Sequence, residues 1–161
     1  MNSTDVSAEA SAGPRDIGTV DMKIEVVALP VSDIDRAKAF YENLGWRLDV
    51  DFELAGGRVV QFTPPHSECS IAFGDGLTTA EPGSVERLET VVSDIEKARE
   101  FLSSRGVEVS EPFHRTESGI ESGLDPNRTS YNSFATFSDP DGNEFLLQEI
   151  TERLPGRVWE E

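Results

Sequence analysis

Val31-Ser32-Asp33-Ile34-Asp35-Arg36-Ala37-Lys38-Ala39-Phe40 and Val92-Ser93-Asp94-Ile95-Glu96-Lys97-Ala98-Arg99-Glu100-Phe101 are two copies of one segment. Val, Ser, Asp, Ile, Ala and Phe coincide, acid falls on acid and base on base, and at the same offset Gly45 falls on Gly106. An ungapped match of this length marks an internal repeat. In each copy Ser32 or Asp33, and Ser93 or Asp94, offers a side-chain oxygen to the free amides that open a helix. Ile34, Ala37, Phe40, Tyr41 and Leu44 then share one face at helical spacing, as do Ile95, Ala98, Phe101 and Leu102. Gly45 and Gly106 follow where a left-handed backbone closes a helix.

Outward from the helices the pattern turns to strand. Val- and Leu-rich runs precede each helix, at residues 23–31 and 85–92. Strands are expected after the first helix at 46–54, 58–63 and 69–73, with Ala55-Gly56-Gly57 as a hairpin turn. After the second they are expected at 107–113, 131–137 and 144–150, the last two joined by Asp139-Pro140-Asp141-Gly142-Asn143. The chain is thus α+β, a βαβββ unit written twice: a first module over 22–76, a linker over 77–84 and a second module over 85–150. Residues 1–21, rich in Ser, Ala, Thr and Asp without apolar period, read as a disordered leader. Residues 151–161 read as a tail whose Trp159 docks on the body or on a second subunit. The segment 114–130, full of Gly, Ser, Pro and charge, reads as an insertion serving as a lid or as a mobile loop.

Charge narrows the partners. The 161 residues carry a formal charge of −17 with no basic stripe, which disfavours nucleic acid and anionic membrane surfaces. No apolar run is long enough to span a bilayer and no secretory signal opens the sequence, so cytoplasmic residence is expected. The single Cys69 excludes an internal disulfide and a Cys-based zinc cluster, and its neighbours suggest a buried strand residue.

The run from Val31 to Gly45 (strand, Val-Ser-Asp, helix, Phe-Tyr-x-x-Leu-Gly) resembles the opening of vicinal oxygen chelate modules. That superfamily includes glyoxalases, bleomycin-resistance proteins and extradiol dioxygenases. Phe137-Ser138-Asp139-Pro140-Asp141-Gly142-Asn143 is similar to the hairpin before their last strand. The ending Leu146-Leu147-Gln148-Glu149 with Arg153-Leu154-Pro155-Gly156-Arg157 looks like that of uncharacterised actinobacterial glyoxalase-like proteins. The resemblance implies a curved mixed sheet around a cavity, a small-molecule ligand or substrate, and a homodimer in many members.

It also implies where a site would lie. Strand alternation puts Val27, Leu29 and Val31 toward the helices, leaving Val26 and Ala28 toward the cavity. Arg87, Glu89 and Val91 are their equivalents, and Glu144, Leu146 and Gln148 face the cavity from the last strand. Metal-dependent relatives carry their ligands at positions that fall here on Val26, Ser70, Arg87 and Leu146. Apolar side chains have no donor and arginine is a fixed cation, so the ordinary metal site is expected to be absent and no cofactor is implied. A displaced divalent-metal site would have to use Glu89, His114 and Gln148, with lyase or dioxygenase chemistry.

Without a metal, Glu89 is the expected general acid or base, its pKa raised by an apolar pocket, with Arg87 as an orienting group. Val26, Ala28, Ser70, Tyr131, Leu146, Gln148, Trp46 and Phe62 are the expected ligand contacts. The functions that follow are acid–base chemistry of isomerase, lyase or hydrolase type, or plain binding of a drug or metabolite.

Overall fold

The computed structural model describes residues 18–155. Most of the expected leader and, in the tail, Trp159 lie outside the described residues. The first module runs β1 (Val26–Ala28), α1 (Ile34–Asn43), β2 (Arg47–Leu54), β3 (Gly57–Thr63) and β4 (Ser70–Gly74). The second runs β5 (Leu88–Val92), α2 (Ile95–Ser104), β6 (Phe113–Thr116), β7 (Gly119–Ser122), β8 (Phe134–Ser138) and β9 (Glu144–Glu149). Each module makes its own sheet, in the orders β1-β4-β3-β2 and β5-β9-β8-β6-β7. In both, the strand before the helix runs parallel to the last strand, Val26 opposite Ser70 and Glu89 opposite Leu146.

The helices start and stop where the repeat placed them. Asp33 accepts a hydrogen bond from the Arg36 amide at 3.0 Å, and Asp94 from the Lys97 amide at 3.1 Å. These are N-caps, in extended backbone, and each satisfies an amide that the helix leaves orphaned. Gly45 and Gly106 close the helices at φ +75° and +79°.

The second module departs from the expected pattern after α2. Residues 107–112 pair only through a single bridge, Val109 to Phe137. The strand begins instead at Phe113, and the supposed insertion supplies it and a further strand, with His114 opposite Glu121. Gly119, at φ +121°, makes the tight return between them. Loop-like composition concealed this hairpin because its strands are short, polar and at the sheet edge.

One hydrophobic core serves both modules. Tyr41, Leu44, Phe62 and Phe73 of the first meet Ile95, Phe137, Phe145 and Leu147 of the second. Ring centroids lie 5.7 Å apart for Tyr41 and Phe73, 5.6 Å for Trp46 and Phe145, and 4.9 Å for the stacked Phe137 and Phe145. The helix-covered faces of both sheets therefore contribute to a single interior, and the domain buries what neither unit could bury alone.

A polar latch accompanies the apolar seam. Asp139, buried in the β8–β9 turn, accepts from the Tyr41 hydroxyl at 2.9 Å and from the amides of Asp141, Gly142 and Asn143. Asn143 donates from Nδ2 to Asp139 and, across the seam, to the Pro30 carbonyl at 2.8 Å. Asp141 takes Ser32 and Arg36 of the first module. The turn that sequence reading assigned to local geometry is also the main polar tie between modules.

The other buried carboxylate is Glu149, which accepts from the Ile95 amide at the start of α2 and from the Arg128 guanidinium. The Arg128 hydrogen bond is the principal reason that its pKa lies below the ordinary glutamate value. A group whose pKa is lowered on folding adds stability at neutral pH that is lost as pH falls through the acidic carboxylate range. Glu149→Gln is expected to cost about 1.5–3 kcal/mol at pH 7. It should also flatten the fall in stability on acidification, read from urea midpoints between pH 7 and 3. An unchanged acid slope would remove Glu149 from the account of acid unfolding.

Among the described residues no helix is long and apolar enough to cross a membrane.

Candidate functional site

Each sheet has one face turned to the shared core, and alternation fixes what lies on the other. In the first sheet Leu29, Val60, Phe62, Ile71 and Phe73 are core residues. Val26, Ala28, Val59, Gln61, Thr63, Ser70 and Ala72 take the open face, joined from β2 by Phe52 opposite Val59 and Leu54 beyond it. In the second sheet Ala135, Phe137, Phe145 and Leu147 are core residues. Glu89, Val91, Phe134, Thr136, Glu144, Leu146 and Gln148 form its open face.

These faces carry apolar surface that the chain itself does not cover. Val26 is 38% exposed, Phe52 44%, Leu54 65% and Val91 45%. Ile120, opposite Arg115 on the β6–β7 hairpin, is also exposed. An apolar surface of this extent on one side of two sheets is the signature of a site for a ligand or a second subunit. In the single chain both faces stay open.

Several expected site residues stand on these faces. Val26 and Ala28 are on the first, Leu146 and Gln148 on the second, and Glu89 lies directly across from Leu146. Ser70 is there too, but buried, and its hydroxyl is engaged by Thr63 at 2.7 Å; the Thr63 hydroxyl in turn bonds the Asp49 carboxylate. Arg47, then Thr63, hold the Asp49 carboxyl below the usual range. Gln148 donates to the Tyr131 carbonyl at 3.0 Å, which leaves its amide oxygen for a ligand.

Other expected residues lie elsewhere. Phe62 is fully buried in the core between Tyr41 and Phe73, because even-numbered β3 positions point to the helix side. Trp46 packs on Tyr41 and Phe145 at the module seam, not at the open face. The Tyr131 hydroxyl accepts from the Leu154 amide, and its φ of +75° belongs to a turn rather than to the strand expected at 131–137. Glu89 and Arg87 pair at 2.9 Å with both side chains about half exposed, so the apolar pocket expected around Glu89 is not built by one chain.

The register also tests the family's metal positions. With the repeat offset, the rung Val26–Ser70 corresponds to Arg87 and Glu144, while Leu146 stands one rung further on, opposite Glu89. Valine, serine, arginine and glutamate do not make a divalent-metal site of the usual N/O type. The displaced set fails on geometry. Phe113 shares the rung of Phe134, and Phe134 that of Gln148, so Phe113 is on the open face and His114 points to the other side. There His114 is buried, with Nδ1 2.7 Å from the Gly123 carbonyl. Among the described residues no three His, Cys, Asp or Glu side chains converge as a metal site.

Residues that sequence reading missed enrich the second open face. Phe113 and Phe134 stack at 5.5 Å, and the Arg115 guanidinium sits 5.2 Å over the Phe134 ring. Phe134 is buried under this cover and Phe113 partly exposed, while Phe52 and Leu54 are the exposed apolar residues of the first sheet. Alternation within β6 would have revealed Phe113 and Arg115 had the strand been placed at Phe113. Cys69, just before β4, is half-buried, and burial and then Glu25 push its thiol pKa up, which makes it a poor nucleophile.

Comparison with known proteins agrees with this architecture. Residues 23–147 match the family model of the Glyoxalase/Bleomycin resistance protein/Dioxygenase superfamily. Among solved structures, TnmS3, an antibiotic binding protein from Streptomyces sp. CB03234, is 30% identical over 83% of this chain and 99% of its own, with a TM-score of 0.64. A glyoxalase/bleomycin resistance protein from the same Streptomyces strain is 32% identical over 79% and 100%, with a TM-score of 0.61. A superfamily member from Sphaerobacter thermophilus DSM 20745 is 26% identical over 80% and 98%, with a TM-score of 0.61. No curated protein matches significantly.

Proposed function

The chain belongs to the glyoxalase/bleomycin-resistance/dioxygenase superfamily, and from that premise we propose that it is a small-molecule binding protein that sequesters an apolar or aromatic compound, of the antibiotic type, without turning it over. The observation that carries the reading is the composition of the open faces: Val26, Phe52, Leu54 and Val91 supply exposed apolar surface, Phe113 lies partly exposed against the buried Phe134 ring, and Gln148 offers a polar anchor. Shape, aromatic area and a few placed polar groups are what binding needs; a metal or a desolvated acid is not.

A site of this kind is completed by a second copy. Two exposed half-sites on one chain, each too open to enclose a ligand, are closed in a homodimer when the first sheet of one protomer faces the second sheet of the other. This arrangement also covers Val26, Phe52, Leu54 and Val91 and gives the free edges of β1 and β5 a neighbour.

Glu89 is the one group that favours catalysis, since it stands on the open face beside Leu146. It pairs with Arg87 there, with both side chains about half exposed in the free chain. Calorimetric titration of bleomycin and a panel of polycyclic aromatic antibiotics, with recovery of each compound afterwards, tests the reading. Saturable binding of at least one compound, recovered chemically unchanged, is expected. Ala28→Trp, which fills the open face, should weaken it by about 30-fold or more, roughly 2 kcal/mol. Glu89→Gln should retain it. A chemically altered compound, with conversion abolished in Glu89→Gln, would replace sequestration by acid–base catalysis.

A further inference from the structure

The seam between the modules is flanked by two clefts that the repeat relates to each other. One is lined by Phe40 with Gly106 and Val107; the other by Phe101 with Gly45 and Trp46, the same positions one repeat apart. The copies have diverged. The first is a wide groove edged by Glu108, Ser110, Glu111 and Asp139. The second is a half-enclosed cavity of about 480 Å³ with a floor of Leu102, Phe137 and Leu147, and a mouth formed by Pro64, Pro65 and Arg105. Its volume and apolar lining lie within the range of small-ligand pockets.

Two features of its wall are out of keeping with simple packing. Phe101 belongs to the core face of α2 by helical period, yet it is 43% exposed, because the cavity lies where its contacts would be. The Arg105 guanidinium lies 5.2 Å from the centre of the Phe101 ring and, among the described residues, forms no ion pair. Arg36, Arg47, Arg58, Arg87, Arg99 and Arg128 are paired with carboxylates, whereas Arg105, like Arg115 over Phe134, rests on a ring with no carboxylate partner among the described residues. A cation held on an aromatic ring at the mouth of an apolar cavity complements a ligand with an apolar body and one anionic end. The main chain of Val91 adds to the wall. Val92 gives its carbonyl to the Ile150 amide beside β9, so strand alternation turns the Val91 peptide groups to the free edge of β5.

The geometry points to a second ligand site at this seam, distinct from the open sheet faces, that takes a small aromatic or alkyl carboxylate. The carboxylate meets Arg105 and the apolar body lies on Leu102, Phe137 and Leu147 between Trp46 and Phe101. Distant surface acids are screened beyond about 8 Å at physiological salt and do not decide the local charge.

The probes are 1-naphthaleneacetate and its neutral analogue 1-naphthaleneacetamide, titrated against the full chain and followed by tryptophan fluorescence and calorimetry. Trp46 lines the cavity and should report occupancy directly. Saturable binding of naphthaleneacetate at one per chain is expected, with the amide at least about 10-fold weaker, the value of a charge-assisted hydrogen bond. Arg105→Gln, an exposed change that should fold normally, is expected to weaken the acid about 10-fold and leave the amide unchanged. Ala98→Leu, which narrows the cavity, should weaken both, and Ala28→Trp on the open face should weaken neither. Absence of saturable naphthaleneacetate binding at millimolar concentration would overturn the assignment. So would binding indifferent to Arg105→Gln, or abolished by Ala28→Trp, which would place the probe on the open face.

Discussion

Asp139→Ala is expected to lower the stability of the fold by about 3–5 kcal/mol, the range for removing one partner of a buried, fully bonded charge. The loss is large because one carboxylate satisfies so many donors: three consecutive turn amides, the Asn143 amide group and the Tyr41 hydroxyl. Burial, and then the negative charge of Asp139, drive the Tyr41 pKa far up, so the phenol stays protonated and donates. Truncating Asp139 leaves the buried Tyr41 hydroxyl and the Asn143 amides without their partner, which is costly away from water. Asp139→Asn keeps the shape but offers one acceptor oxygen instead of two, and a smaller loss is expected. Urea denaturation measures both. A cost below about 1 kcal/mol for the alanine variant would show that the latch is replaceable.

Phe145→Ala, on the apolar side of the same seam, is expected to cost about 3–5 kcal/mol. Phe145 is 1% exposed and touches the rings of Tyr41, Trp46 and Phe137, which belong to both modules. The variant should destabilise the whole chain and not the second module alone, because no separate core exists for the first to fall back on. Tryptophan emission, to which Trp46 of the first module contributes, and far-ultraviolet circular dichroism should therefore report one shared midpoint. Two separated transitions would mean that each module folds around its own half of the interior.

Both results bear on binding. Latch and shared core hold the two modules with their helix faces together, which is what leaves the opposite faces open. A chain loosened at the seam should lose compounds from both the open face and the cavity beside Arg105, even though neither Asp139 nor Phe145 belongs to the open face. Comparing variants at the seam with Ala28→Trp therefore separates damage to the scaffold from damage to the site.

The pairing Val31–Phe40 with Val92–Phe101 determined the strand-then-helix opening of each module, the two N-caps and the two closing glycines, because these follow from spacing within a dozen residues. Period-two alternation likewise put Val26 and Ala28 on one side of β1 and Leu29 on the other. It failed beyond residue 107, where a polar edge hairpin has no strong apolar period, and the misplaced strand hid Phe113 and sent His114 to the wrong face.

Composition and local period determined the units, and the tertiary structure decided how they meet. That Phe62 lies in the core and Trp46 at the seam rather than on the open face, that Asp139 ties two modules, and that Glu89 stands exposed beside Arg87 are all consequences of packing the helix faces into one interior. The physical reason is that a side chain's direction is set by its own strand or helix, a local matter. What it finds there is set by residues about a hundred positions away, as Tyr41 finds Asp139 and Phe145.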